Sequence, residues 1–129
     1  MAFSEGPVFV SRIAGSTFST GQLYRGVVLN GSGEVIVPGS TNVPNPFGVL
    51  YSVTETTAGS GVEALSIAVG GIVKLEMAGS TEAVGSVVGF SSIGLGILGG
   101  TTDTATFGQV VSGTSGTTGR IFSVHVDRL

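Results

Sequence analysis

Residues Gly71 to Thr81 read GIVKLEMAGST, with Val73, Leu75 and Met77 alternating with Lys74 and Glu76. A period of two is what a half-buried strand needs, whereas a helix would repeat its apolar residues every three to four positions. The same stretch opens the second copy of a pattern that begins at Pro7. Pro7 to Thr17 reads PVFVSRIAGST, and AGST closes both segments, 64 residues apart. A second echo sets Phe47-Gly48-Val49-Leu50 against Phe107-Gly108-Gln109-Val110, 60 residues apart. Between these anchors both copies hold a glycine (Gly21, Gly85), another glycine (Gly33, Gly94) and a small-residue turn (Gly39-Ser40-Thr41, Gly100-Thr101-Thr102). A few residues inserted near Arg25-Gly26-Val27 account for the change of offset, and Arg12 stands as the counterpart of Glu76. Residues 1–129 therefore read as one β-domain made of an arm (1–6), a first half (7–69) and a second half (71–126). A period of about 60 exceeds that of solenoid and propeller repeats, so two copies mean one closed barrel or sandwich and not an array.

The rest of the chain supports short strands. Val8–Ile13, Leu23–Leu29, Glu34–Val37, Phe47–Val53 and Val62–Val69 are the strands expected in the first half. Val84–Phe90, Leu95–Leu98, Phe107–Ser112 and Arg120–Val126 repeat them in the second. Asn30-Gly31-Ser32-Gly33 is a tight turn, because Asn-Gly tolerates the positive φ of hairpin turns. Gly70-Gly71 reads as a turn between two strands, and Gly48 as a bulge or a close backbone approach. The three prolines of 38–46 mark a loop. Leu65, Ile67 and Val69 share one face, and Phe122, Val124 and Val126 share another, opposite Ser123 and His125. No Gly-free stretch is long enough for a helix of three turns. The fold class is all-β: a small barrel or sandwich of short antiparallel strands, two related halves and an extended N-terminal arm.

Composition narrows the function. Of 129 residues 23 are glycine and only 10% are charged, where average chains have about 7% and about 25%. So little charge leaves a free monomer poorly solvated and points to surface hidden in an assembly. The net charge is −3 and the five basic residues are scattered, so no basic stripe offers itself to nucleic acid. No cysteine is present, which excludes disulfides and thiolate metal sites. Met1 to Glu5 lacks the basic and long apolar regions of a signal peptide. Ala83 to Thr102 is uncharged and contains two Gly-x-x-x-Gly spacings. Its six glycines, its acidic flanks and its match to Gly21–Thr41 argue for strands and against a membrane span.

Chemistry is sparse. Gly94-x-Gly96-x-x-Gly99 has the letters of a dinucleotide fingerprint, but the mechanism needs a following helix and an acid about 20 residues on. His125, the single histidine, has no partner ligands in sequence and no Gly-x-Ser-x-Gly serine to activate, and reads as a surface residue. The eight acids fall in no spacing that pairs two carboxylates for acid–base work. Lys74 and Glu76 read as a solvated or interfacial face. No catalytic, cofactor-binding or metal-binding residue is assigned, and no cofactor or small-molecule substrate is expected.

The order FGVL at Phe47, Ala58-Gly59-Ser60-Gly61-Val62, Gly71-Ile72-Val73-Lys74-Leu75, Val84-Gly85-Ser86-Val87-Val88, FGQV at Phe107 and a final Val124-His125-Val126-Asp127-Arg128-Leu129 resembles the capsid decoration (cement) proteins of tailed bacteriophages. The likeness runs from about Phe47 to Leu129. It implies a non-enzymatic, homotrimeric structural protein made in the host cytoplasm. It also implies binding to the major capsid protein on the outer surface of the mature head, with neither nucleic acid nor membrane as partner. Met1, Ala2, Phe3, Ser4, Glu5 and Gly6 are the candidate capsid contacts, as an arm able to pair with a neighbouring sheet edge. Another virion β-module, in the tail or at a fibre base, would share this composition. A small ligand-binding barrel or enzyme would need polar groups converging in a pocket around His125.

Overall fold

The computed structural model describes residues 6–15, 17–18, 20–39, 46–52, 64–78, 84–98, 106–112 and 121–126. These form β1 (Val8–Ile13), β2 (Gly26–Leu29), β3 (Val35–Ile36), β4 (Gly48–Leu50), β5 (Ala64–Glu76), β6 (Val87–Phe90), β7 (Gly96–Leu98), β8 (Gly108–Ser112) and β9 (Ile121–Val126). A single 3-10 turn, Thr20–Gln22, is the helical element among them. The strands pair antiparallel in the order β3-β2-β4-β5-β9-β8-β6-β7, and β1 pairs with β5 beside that path. The fold is all-β, as the alternation in Gly71–Met77 requires.

β5 differs from its reading as two strands around a Gly-Gly turn. It runs unbroken through Gly70 and Gly71 for 13 residues. Its first part pairs with β1 and β4, its second with β9. The glycines bend and slip the strand without ending it. Gly71 has φ 78°, and the register against β1 shifts where Val8 faces Gly70 and Phe9 faces Ala68. An extra residue reverses which side chains face which side. Before the slip Ala68 joins one core cluster while Leu65, Ile67 and Val69 join the other; after it, odd-numbered Val73, Leu75 and Met77 join the cluster of Ala68.

Backbone hydrogen bonds recur at matching places in the two segments. Asn30 N–H donates to Glu34 C=O and Gly33 N–H to Asn30 C=O; Ser91 and Leu95, and Gly94 and Ser91, repeat both bonds. The side chains of Asn30 (Oδ1) and Ser91 (Oγ) accept the same two backbone N–H groups in their turns. Phe47 N–H donates to Val27 C=O, and Phe107 N–H to Val88 C=O. The glycines that follow them explain the FG echo. A Cβ on Gly48 would stand 2.6 Å from Ala68 C=O, and one on Gly108 2.5 Å from His125 C=O. Both strands therefore need a residue without a side chain where they cross a neighbour.

The structural repeat departs from the AGST alignment by one residue. Ala14 bridges Val35, and Met77, not Ala78, bridges Gly96. Arg12 is thus the counterpart of Leu75 and not of Glu76. A one-residue shift turns a strand over, so this distinction decides which side chains lie inside. Strand ends also move. Leu23–Arg25 and Val84–Ser86 lie outside β2 and β6, because Tyr24 (φ 67°) and Gly85 (φ 90°) turn the chain. Their N–H groups donate to Leu50 and Val110 C=O.

Each half has a core of its own. Ala14, Phe18, Val27, Val35, Leu50, Leu65, Ile67 and Val69 form the first, and Val73, Leu75, Met77, Val88, Phe90, Phe107, Val110, Phe122, Val124 and Val126 lie in the second. Each of the buried phenylalanines contributes about 2–3 kcal/mol. Val49 and Ala68 point from the back of the first half into the second core, where Tyr24, Val28 and Tyr51 also pack. The first half therefore covers the second. The two ends of the strand order then meet: Gly26 N–H donates to Gly94 C=O at 2.6 Å and Gly39 N–H to Ser92 C=O at 2.7 Å. The sheet is curled like a half-barrel around the second core, and these two bonds tie the β6–β7 turn to the start of β2 and the residues after β3.

This seam separates two glycines with the same backbone angle. Gly33 (φ 79°) stands in open space, whereas a Cβ on Gly94 (φ 83°) would run into the Gly26 carbonyl oxygen. Gly33→Ala is expected to cost about 1 kcal/mol from the left-handed conformation alone. Gly94→Ala is expected to cost about 3 kcal/mol or more by forcing the seam open. Urea unfolding of both variants checks this; equal losses would mean that the seam contributes nothing.

Candidate functional site

The polar side chains given chemistry in the sequence reading are dispersed. His125 is exposed on β9, with half-buried Ser123 on the same face and the buried Phe122, Val124 and Val126 opposite. Of the acids, Glu34 and Glu76 are among the described residues. Glu34 accepts from Asn30 Nδ2 at 2.9 Å, which locks a turn. Glu76 Oε1 lies 3.2 Å from Arg25 Nε and ties the two halves together. Lys74 is exposed while Glu76 is half-buried. No group of three His, Cys, Asp or Glu that could hold a metal is found among the described residues. Gly94 lies in the β6–β7 turn and Gly96 opens β7, so a strand stands where a dinucleotide site needs a helix. Gly99 lies outside the described residues. No described helix is long and apolar enough to cross a membrane.

The described residues also present backbone edges and exposed apolar groups. Met1 to Glu5, the proposed arm, lie outside the described residues; Gly6 is exposed and leads directly into β1. β1 pairs only with β5 among the described strands, so its other edge is open. Val8 and Phe9 on β1, and Val84 and Val111 at the far end of the second half, are exposed apolar residues. No one-residue signal in the sequence marks these positions; they emerge from where the sheet ends.

One aromatic group sits where the halves join. Phe9, Tyr51 and Tyr24 contact edge to face in a row, with ring centroids 5.2 Å apart at each step. Lys74 Nζ lies 5.5 Å from the Tyr24 ring, close enough for a cation–π contact. Tyr51 Oη accepts the Lys74 N–H at 2.5 Å, and Tyr24 C=O accepts the Glu76 N–H at 2.8 Å. The second part of β5 is thus laid by its backbone on the Tyr24–Tyr51 face. Burial pushes the Tyr51 hydroxyl above its ordinary pKa of 10.0, the Lys74 N–H pulls it back and Tyr24 adds to the rise.

The fold is similar to that of a solved structure, the N base of head fiber gp8.5 in bacteriophage phi29. The TM-score is 0.62, with 15% identity over 93% of this chain and 93% of that one. At 15% identity the likeness is one of fold. The sequence matches no protein-family model and no curated protein.

Tyr51→Phe removes the acceptor for Lys74 N–H and is expected to lower stability by about 0.5–1 kcal/mol at neutral pH. The raised pKa means that the folded state holds the Tyr51 proton more tightly than the unfolded chain. That stability is complete below pH about 10 and is lost as pH rises through the folded pKa. Denaturation from pH 8 to 11 should therefore fall more steeply for the wild type than for Tyr51→Phe; parallel curves would remove Tyr51 from the alkaline limb.

Proposed function

We propose that this chain is a non-enzymatic structural protein of a tailed-phage virion, seated on the outside of the head against the major capsid protein. The observation that carries this reading is the fold shared with a head-fibre base across almost the whole of both chains. The sequence resemblance to decoration proteins points to the same place on the particle. The polar side chains that the structure describes hold the fold together, Arg25 with Glu76 and Asn30 with Glu34. Recognition then falls to backbone edges and small residues, which suit pairing with a shell strand. Each such contact is modest, and several made at once gain through effective concentration.

Two forms of this role differ in what they do to the shell. A decoration protein braces it; a fibre base only anchors something to it. The purified chain is expected to bind saturably to expanded capsids that lack it, and not to unexpanded ones. Deleting Met1 to Gly6 is expected to weaken that binding while leaving the thermal midpoint of the free protein unchanged. A rise in the temperature at which the shell releases its DNA identifies bracing, and an unchanged temperature identifies a fibre base. Absence of binding to either shell state, or labelling of virions at the tail, would overturn the head assignment.

A further inference from the structure

Inside one chain, the first half binds the second through a defined pair of surfaces. One surface is the back face of the first half: Tyr24, Val49, Tyr51 and Ala68. The other is the second core with the bare edge of β5 beside it, whose Lys74 and Glu76 N–H groups reach Tyr51 Oη and Tyr24 C=O. Because bonds of one half recur in the other, each surface has a second copy, and none of the described residues covers either.

The matching is fixed by shared hydrogen bonds. Tyr24 corresponds to Gly85, since both have positive φ and donate N–H to Leu50 and Val110 C=O. Arg25 corresponds to Ser86, since their carbonyls accept from Leu50 and Val110 N–H. Val49 opposite Ala68 corresponds to Gln109 opposite His125. Past Leu50 and Val110 the halves diverge: the Tyr51 N–H goes to Ser66 C=O, whereas a bulge sets Ser112 opposite Ser123 and leaves Val111 between. Buried Val49 and Ala68 thus have exposed counterparts in Gln109 and His125, and Val111 beside them is 40% exposed. The Gly85 carbonyl, which corresponds to the acceptor of the Glu76 N–H, takes a bond from the exposed Gln109 side chain instead.

The opposite surface is open in the same way. Lys74 and Glu76 correspond to Ser11 and Ile13 on β1. Ser66, opposite Ser11, directs its C=O to Tyr51 N–H and its own N–H to Ser52 Oγ. The backbone of Ser11 therefore points away from β5, and its N–H has no partner among the described residues. The first core beside this edge is less covered than the second. Phe47 and Val10 are half-buried, whereas their counterparts Phe107 and Val73 are buried. Arg12 lies 5.5 Å over the Phe47 ring at the position that Leu75 fills in the second half.

We propose that a second copy of this chain fills these surfaces. The back face of the second half, with Gly85, Gln109, Val111 and His125, docks on the first core and the β1 edge of the next copy. The contact takes the place of the internal one but not its bonds, since no hydroxyl stands where Tyr51 accepts the Lys74 N–H and the Gly85 C=O already accepts from Gln109. Both sides change character together: Val49 and Ala68 against a cluster holding Leu75 become Gln109 and His125 against one whose half-buried Phe47 lies under the exposed Arg12. The interface is accordingly more polar and more reversible than the internal one. It joins two different surfaces, so it builds a closed ring or a filament and not a twofold dimer. His125 and Gln109 acquire a role in it that the single chain does not explain.

The full chain, which has no cysteine, makes the test specific. Sedimentation at about 100 µM should show a species heavier than one chain. Ile13→Cys and Ser86→Cys copies, the counterparts of the Glu76 and Arg25 positions, should form a mixed disulfide when oxidised together and remain unlinked when oxidised separately. Ile13→Pro removes an outward N–H, the counterpart of the Glu76 N–H that Tyr24 C=O accepts, and should weaken association about tenfold with an unchanged far-UV spectrum. Val111→Asp, a surface change, should do the same if the proline disturbs β1. A monomer at that concentration, disulfides between like copies, or association unaffected by a folded variant of either surface would overturn the proposal.

Discussion

Everything in this fold depends on one strand that carries two sheets. β5 contributes to both cores because Gly70 and Gly71 let it slip by one residue without breaking its ladder. Without that slip, Val73, Leu75 and Met77 would face away from the cluster that Ala68 enters, and the second half would have no common core with the back of the first. The cost of so mobile a backbone unit is offset by pairing on both sides, with β1 and β4 before the bend and β9 after it. The bond from Gly26 to Gly94 then ties the curled sheet across its opposite side.

The two segments are unequal in their surroundings even where their hydrogen bonds recur. One back face is buried on a neighbouring core, and the other meets solvent with a histidine and a glutamine where its twin has an alanine and a valine. One core is roofed by the other half, and the other leaves Phe47 under a lone guanidinium. The polar substitutions are where solvent or a reversible partner would place them. This makes the departures from perfect repetition more informative about association than the repeats themselves.

Among the described side chains, Glu34 ties a turn and Arg25 with Glu76 ties the junction between the halves. Beside them stand a β1 edge with no described partner and faces of small residues. The likeness to the N base of a phage head fiber, at 15% identity, is one of this fold.

Much of this was legible from residue order. Alternation in Gly71–Met77 and Ile121–Val126 identified strands and their buried faces, because a half-buried strand leaves a period of two. The FG echo pointed to Gly48 and Gly108, because the same close approach to a neighbouring strand demands glycine at both places. The central strands were harder. Gly48, Val49 and Leu50 are all buried, as are Ile67 to Gly70, so no alternation marks their faces. Gly-Gly reads equally as a turn or a bend, and only the pairing of β5 with β9 chose the bend. The one-residue error in matching Arg12 to Glu76 has the same origin. Letters align by identity, but facing is set by parity, and parity is decided by a bulge that appears only when two strands lie side by side. The open surfaces were invisible for a related reason: an edge or a back face exists only once the rest of the sheet has taken its place.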